Sequence, residues 1–182
     1  MSEDLTVRGT FYTDAGMLAV WTPEDFAGIV EYEDWETELL EDADIERHIK
    51  EGSYVPLYIH SDGAFAVEIR VGTVDRPAAV TKRQAPYVTV TSEPYLLRSK
   101  GRLCVGGIEH VEIDPPEWVG RMSLPAVDYA VVVSLIDWAG EPNSRGEDGR
   151  RSADALPDFL VLLNPVSDGV TFRTKVDTFD RP

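Results

Sequence analysis

The chain is divided into about ten short apolar runs, each bounded by residues that bend the backbone. Alternation or continuous apolarity marks Val7 to Tyr12, Gly16 to Trp21, Val55 to His60, Ala64 to Val71 and Tyr87 to Thr91 as strands. The same pattern marks Tyr95 to Leu97, Ile108 to Ile113, Val127 to Ile136, Phe159 to Leu163 and Val170 to Val176. Between them stand TDAG, SDGA, SKGR, GG, DPP, NP and SDG, the Gly, Pro, Asn and Asp clusters whose backbone preferences suit turns. No helical repeat intervenes, so the sequence predicts a mainly β fold, an antiparallel, jelly-roll-like β-sandwich. At 182 residues the chain can bury one substantial core, and residues 1–182 are expected to form a single domain.

The stretch YVPLYIHSDGAFAVEIRVG, Tyr54 to Gly72, reads as a hairpin, with Asp62-Gly63 at its tip between two β-forming runs. Leu57, Ile59, Phe65, Val67, Ile69 and Val71 are its core-facing residues. Tyr58, His60, Glu68 and Arg70 alternate outward, which makes His60 an exposed strand-end residue.

Two segments break the β pattern. In the first, residues 31–52, nine of the sixteen positions from Glu31 to Glu46 are acidic. Trp35, Leu39, Ala43 and Ile49 recur near helical spacing, predicting one short acidic helix that ends at Gly52. Its outer face can be a solvated surface that serves solubility, an acidic docking surface for a basic protein, or a divalent-cation site. For docking the candidate residues are Glu33, Trp35, Glu36, Glu41 and Asp44. As a cation loop, EDADIERHIKEG lacks the central glycine of an EF-hand. The second break, residues 139–157, is long, rich in Gly, Pro and Ser, and mixes both charges, so a flexible loop is expected there. Trp138 at its root can close the end of the sandwich or form a binding platform.

Thirty-three acids against 17 Lys and Arg give a net charge of −16, which repels phosphates and argues against direct nucleic acid binding. Lys82, Arg83, Arg98, Lys100 and Arg102 form a small basic island that partly balances the acidic segment. No apolar run approaches the roughly 20 residues of a membrane span, the best being Tyr129 to Ile136. The lone Cys104 makes no internal disulfide, and Met1-Ser-Glu-Asp lacks the basic and apolar regions of a secretory signal. A cytoplasmic protein is therefore expected.

No motif names a reaction: GxSxG, GxxxxGK[ST], GxGxxG and HExxH are all missing from the sequence. In GGIEHVEIDPPE, strand alternation would put His110 and Glu112 on one face and Glu109 on the other, but no His follows His110 to complete a cupin-like site. Cys104 reads as a buried, inert thiol. Catalytic residues, metal and cofactor are all expected to be none.

GTFYTDAGMLAVWT leads into the acidic, Trp-containing YEDWETELLEDAD, then VPLYIHSDGAFAVEIRV, and LPAVDYAVVVSLIDW precedes PDFLVLLNP. This order of parts resembles that of the small bacterial DNA-entry nuclease inhibitors of competence. The resemblance implies a non-catalytic protein that binds and restrains another protein. With the charge, it points to a basic partner such as a nuclease or toxin. The alternative is a small-ligand or carbohydrate-binding sandwich, or an enzyme, with its site at a loop end near Trp138, His110 and His60.

Overall fold

The apolar runs do become strands, but the sheets combine them in an order that local pattern does not disclose. The computed structural model describes residues 5–180. In chain order these form β1 (Leu5–Thr13), β2 (Met17–Trp21), α1 (Tyr32–Leu39), α2 (Asp42–Glu51), β3 (Tyr54–Tyr58) and β4 (Gly63–Val71). There follow β5 (Val88–Thr91), β6 (Tyr95–Arg98), β7 (Arg102–Gly107), β8 (Gly120–Ser123), β9 (Asp128–Ile136) and β10 (Phe159–Pro165). One sheet has the order β1-β4-β10-β9-β5, with β6 also on β9, and the other has the order β3-β2-β7-β8. Side chains of both sheets meet in a common core that includes Trp21, Tyr54, Tyr95, Tyr129 and Phe159.

The mainly β expectation holds, whereas the purely antiparallel jelly roll does not. β10 runs parallel to β4, from Phe159 opposite Val67 to Leu163 opposite Val71, and antiparallel to β9. Its continuous apolar sequence suits a central strand covered on both faces. Phe159, Val161 and Leu163 point into the common core, while Leu160 and Leu162 pack under Ala78, Val80, Tyr87 and Trp138 on the far side of the sheet.

The hairpin expected at Tyr54 to Gly72 is not formed. β3 pairs with β2, and β4 pairs with β1 and β10, so Ser61-Asp62-Gly63 carries the chain from one sheet to the other. The turn chemistry was read correctly, since Gly63 has φ 139°. The pairing was not, because β1 offers β4 a nine-residue antiparallel partner, Leu5 opposite Val71 through Thr13 opposite Gly63. His60 is exposed, its Nε2 pairing at 2.7 Å with the accepting Asp177 carboxylate and its ring lying against Tyr58. Glu68, expected to face outward, is buried on that outer face by Arg8, Arg70 and Gln84.

Two expected strands are absent and two others take their places. Ile108–His110 is a 3-10 turn, and residues 170–176 are irregular. β7 and β8 were hidden because RLCVGG and GRMS are rich in glycine. Gly106 nevertheless belongs in the sheet, since a Cβ there would press 3.2 Å from Val119 and lie beside the Trp21 ring. The chain after residue 170 fastens to strand ends: the Arg173 amide donates to Pro94, and Thr178 bridges the backbone of Pro56 and Tyr58.

Candidate functional site: the acidic helix pair and its aromatic cleft

The acidic segment folds as two helices where one was expected. At 100° per residue, Ile45 would lie about 120° around the axis from Leu39 in a continuous helix and could not share its buried face. The break at Leu40 and Glu41 re-aims the chain, so that Leu39 of α1 and Ile45, His48 and Ile49 of α2 are all buried. α1 starts with a reciprocal cap: the Glu31 carboxylate accepts from the Asp34 amide, and Asp34 accepts from the amides of Glu31 and Val30 at 3.1 and 3.0 Å. α2 ends at Gly52, as the sequence predicted, in a left-handed conformation at φ 81°. A Cβ there would meet Arg98 Cγ at 2.9 Å.

Residues 31–51 hold ten carboxylates against Arg47 and Lys50, a net of −8 and half of the chain's −16. Part of that charge is spent internally. Glu38 accepts from Arg47 at 3.0 Å and contacts His48 Nε2 at 2.8 Å, and the Arg47 hydrogen bond holds the Glu38 carboxyl below its ordinary range. Asp44 lies 3.8 Å from Arg47. Glu33 and Glu41 project into solvent, whereas Glu36 and Asp44 are half-buried. The charge of Glu36 raises the Tyr32 hydroxyl above its usual pKa.

Trp35 is half-buried, and its role differs from that of its acidic neighbours. Its indole Nε1 donates to the Ile108 carbonyl at 3.0 Å, tying α1 to the 3-10 turn that follows β7. Tyr32 stacks on it, with ring centroids 6.0 Å apart and planes 11° from parallel. Between this pair and the turn opens a cleft of about 400 Å³, lined by Ile29, Val30, Glu31, Tyr32, Trp35 and residues 109–112. Across it, His110 meets Tyr12 and Trp118 edge-on, at 6.1 and 5.7 Å. Val30, Tyr32, Tyr12 and Trp118 are 85, 65, 44 and 57 % exposed, an unusual density of solvent-facing apolar surface beside one cleft.

Sequence reasoning missed these four residues. For Val30 and Tyr32 the clearest signal was the run IVEYEDW, where apolar and aromatic residues are interspersed among acids. Glu109 and His110 were read on a strand; in the turn, both Glu109 oxygens instead face β1, accepting from Thr13 Oγ1 and the Asp14 amide at 2.9 Å each. Among the described residues no group of three or more His, Cys, Asp and Glu is arranged to hold a metal ion.

The loop-end constellation of His60, His110 and Trp138 is not assembled. The cleft at His110 contains neither of the others. Trp138 lies under the guanidinium groups of Arg145 and Arg151, two residues of segment 139–157, at 5.0 and 4.3 Å from the ring centroid. The basic island is also dispersed: Arg83 pairs with Glu141, Lys100 with Asp25, Arg102 with Glu24, and Arg98 lies 4.0 Å from Asp128. Cys104 is buried, and desolvation pushes its thiol up to about 11.

No protein-family model matches the chain, and no curated protein matches it. Similar solved structures include that of crocagin biosynthetic gene J, with a TM-score of 0.61 at 13 % identity, covering 90 % of this chain and 98 % of that one. They also include ComJ from Bacillus subtilis, an inhibitor of the DNA-degrading activity of NucA, with a TM-score of 0.50 at 9 % identity, covering 91 % of this chain and all 100 % of that one. What is shared is the fold. The loose resemblance to the competence nuclease inhibitors, read from the order of sequence segments, thus holds in three dimensions. Among the described residues no helix is long and apolar enough to cross a membrane.

Proposed function

We propose that this chain is a non-catalytic, inhibitor-like module that captures a basic protein, such as a nuclease, on the face formed by α1, α2 and the adjoining cleft. The observation that carries the reading is the placement of half the net charge on two helices beside exposed aromatic side chains. Charge and aromatic surface do different work in recognition. A concentrated negative field accelerates encounter with a positive surface by about 10- to 1000-fold at low salt. Aromatic anchors at the centre of a patch then slow dissociation. An enzyme that grips nucleic acid must present cationic surface to phosphates, so an acidic protein is a complementary ligand for it. The fold shared with an inhibitor of a DNA-degrading enzyme supports the same class of role.

In this reading Glu33, Glu36, Glu41 and Asp44 steer the partner, and Trp35 fixes the wall of the cleft. A reducing, cytoplasmic setting suits the single buried thiol. The alternative site at Trp138 loses its main support, since that ring is already occupied by the chain's own arginines.

The decisive experiment is affinity capture from the source cell at about 50 mM and about 500 mM salt, then assay of each captured protein's activity with and without this chain. A partner retained selectively at low salt and inhibited on binding is the expected result. Capture of nothing salt-sensitive, or of partners left fully active, would remove the inhibitor reading.

A further inference from the structure

The cleft between α1 and the 3-10 turn has walls suited to one particular kind of side chain. Tyr32 and Trp35 provide stacked aromatic surface, and the Trp35 ring is held in place by its hydrogen bond to Ile108. Three carboxylates, Glu31, Glu109 and Glu112, line the cleft, while no Lys or Arg does. Two of the three are committed: Glu31 caps α1, and Glu109 binds Thr13 and Asp14. The Glu112 backbone carbonyl accepts from Trp21 Nε1 at 3.2 Å, and among the described residues its carboxylate has no hydrogen-bond or ion-pair partner. His110, on the same wall, accepts from the Trp118 indole N–H through Nε2 at 3.4 Å and lies 3.9 Å from Glu109.

We infer that the cleft is a pocket for an arginine side chain presented by the protein partner. A planar guanidinium can lie on the Tyr32 and Trp35 surface while pointing N–H donors at Glu112, combining cation–π contact with a charge-assisted pair. Lysine supplies a point charge without the planar face, and an apolar side chain would leave Glu112 desolvated and unpaired. The chain itself seats guanidinium groups on an indole elsewhere, at Trp138. This inference deepens the capture reading and rests on it for the nature of the partner, but the pocket can be tested without any partner.

The probe is N-acetyl-L-arginine amide, and the control is N-acetyl-L-citrulline amide, which has nearly the same shape without the charge. Both are titrated into the intact chain while the indole N–H signals of Trp35, Trp118 and Trp138 and the ring signals of His110 are followed by NMR. The arginine probe should bind saturably in the millimolar range, perturbing Trp35 and His110 but not Trp138, and at least about fivefold more tightly than citrulline. Glu112→Gln should weaken the arginine probe by about fivefold or more and leave citrulline unaffected. Tyr32→Ala, at an exposed position that should not disturb folding, should also weaken it. Equal response to both probes, no saturable response by about 50 mM, or full affinity in Glu112→Gln would overturn the pocket. Selective arginine binding with no captured partner would leave the pocket standing and the capture reading lost. A salt-sensitive partner alongside a silent cleft would do the reverse.

Discussion

The indole of Trp35 donates to the Ile108 carbonyl across 3.0 Å, and this one bond joins the acidic helix pair to the turn that carries Glu109 and His110. Both walls of the cleft therefore depend on it. Trp35→Phe keeps an aromatic ring but removes the donor, leaving the Ile108 carbonyl without that partner. A loss of about 1 kcal/mol is expected, or roughly 2–4 °C in thermal midpoint for a chain of this size. The signals of residues 108–112 should shift while those of β9 and β10 do not. An unchanged midpoint with unchanged turn signals would show that the helix pair is positioned by packing alone.

Neutralising Glu33, Glu36 and Glu41 to Gln and Asp44 to Asn should change stability by less than about 0.5 kcal/mol, because these groups are exposed or half-exposed among like charges. Association with a captured basic partner should slow by about tenfold at low salt, with a flatter salt dependence and a smaller change in dissociation. A partner-free check accompanies it: Glu36 raises the Tyr32 hydroxyl, so Glu36→Gln should return that titration toward the ordinary tyrosine value. Unchanged association at low salt would leave these carboxylates with solubility as their only role.

Segment 139–157, expected from the sequence to be a flexible loop, contributes buried Ser144, Ala155 and Leu156. Arg151 lies on Trp138 and donates to Asp158 at 2.6 Å, while Glu141 pairs with Arg83. Replacing Glu141 to Ala155 by a short Gly-Ser linker would uncover Trp138 and remove the Arg83–Glu141 and Arg151–Asp158 pairs. The thermal midpoint should fall by roughly 5 °C or more. Calorimetry that found the midpoint unchanged would show that these contacts contribute no net stability.

Stability should decline at both ends of the pH scale, for opposite reasons. Glu38 is held below its ordinary pKa first by Arg47; Glu68 is raised by burial but lowered further by Arg8 and Arg70. For such depressed carboxylates the native state binds fewer protons than the unfolded chain. Their stabilisation is complete above the usual carboxylate range near about 4 and disappears as pH falls through the folded values. Burial pushes the Cys104 thiol up to about 11 and the Tyr95 hydroxyl, despite Arg173, to about 12. Here the native state retains protons that the unfolded chain releases. Their stabilisation is complete below the unfolded values and declines as pH rises toward the folded ones. Cys104→Ala should therefore lose less stability between pH 8 and 10.5 than the parent, by roughly 1–2 kcal/mol in urea titrations. Parallel curves for the two proteins would show that the thiol does not contribute.

Period-2 apolarity, turn chemistry at Gly63, the helix stop at Gly52 and the acidic density of residues 31–46 are local properties, and the sequence alone determined them. Each depends on the dihedral preference or charge of residues within a few positions of one another. The partition of strands between sheets is not local. Tyr54 to Gly72 has every mark of a hairpin, but the longer pairing of β4 with β1 and the burial of β10 on both faces placed its halves in different sheets. The cleft was hidden for the same reason: Tyr32 and Trp35 are separated from His110 by more than 70 positions, and from Trp118 by more than 80. Only the shared core, by setting α1 against the end of β7, brought that aromatic surface and the free carboxylate of Glu112 to one place.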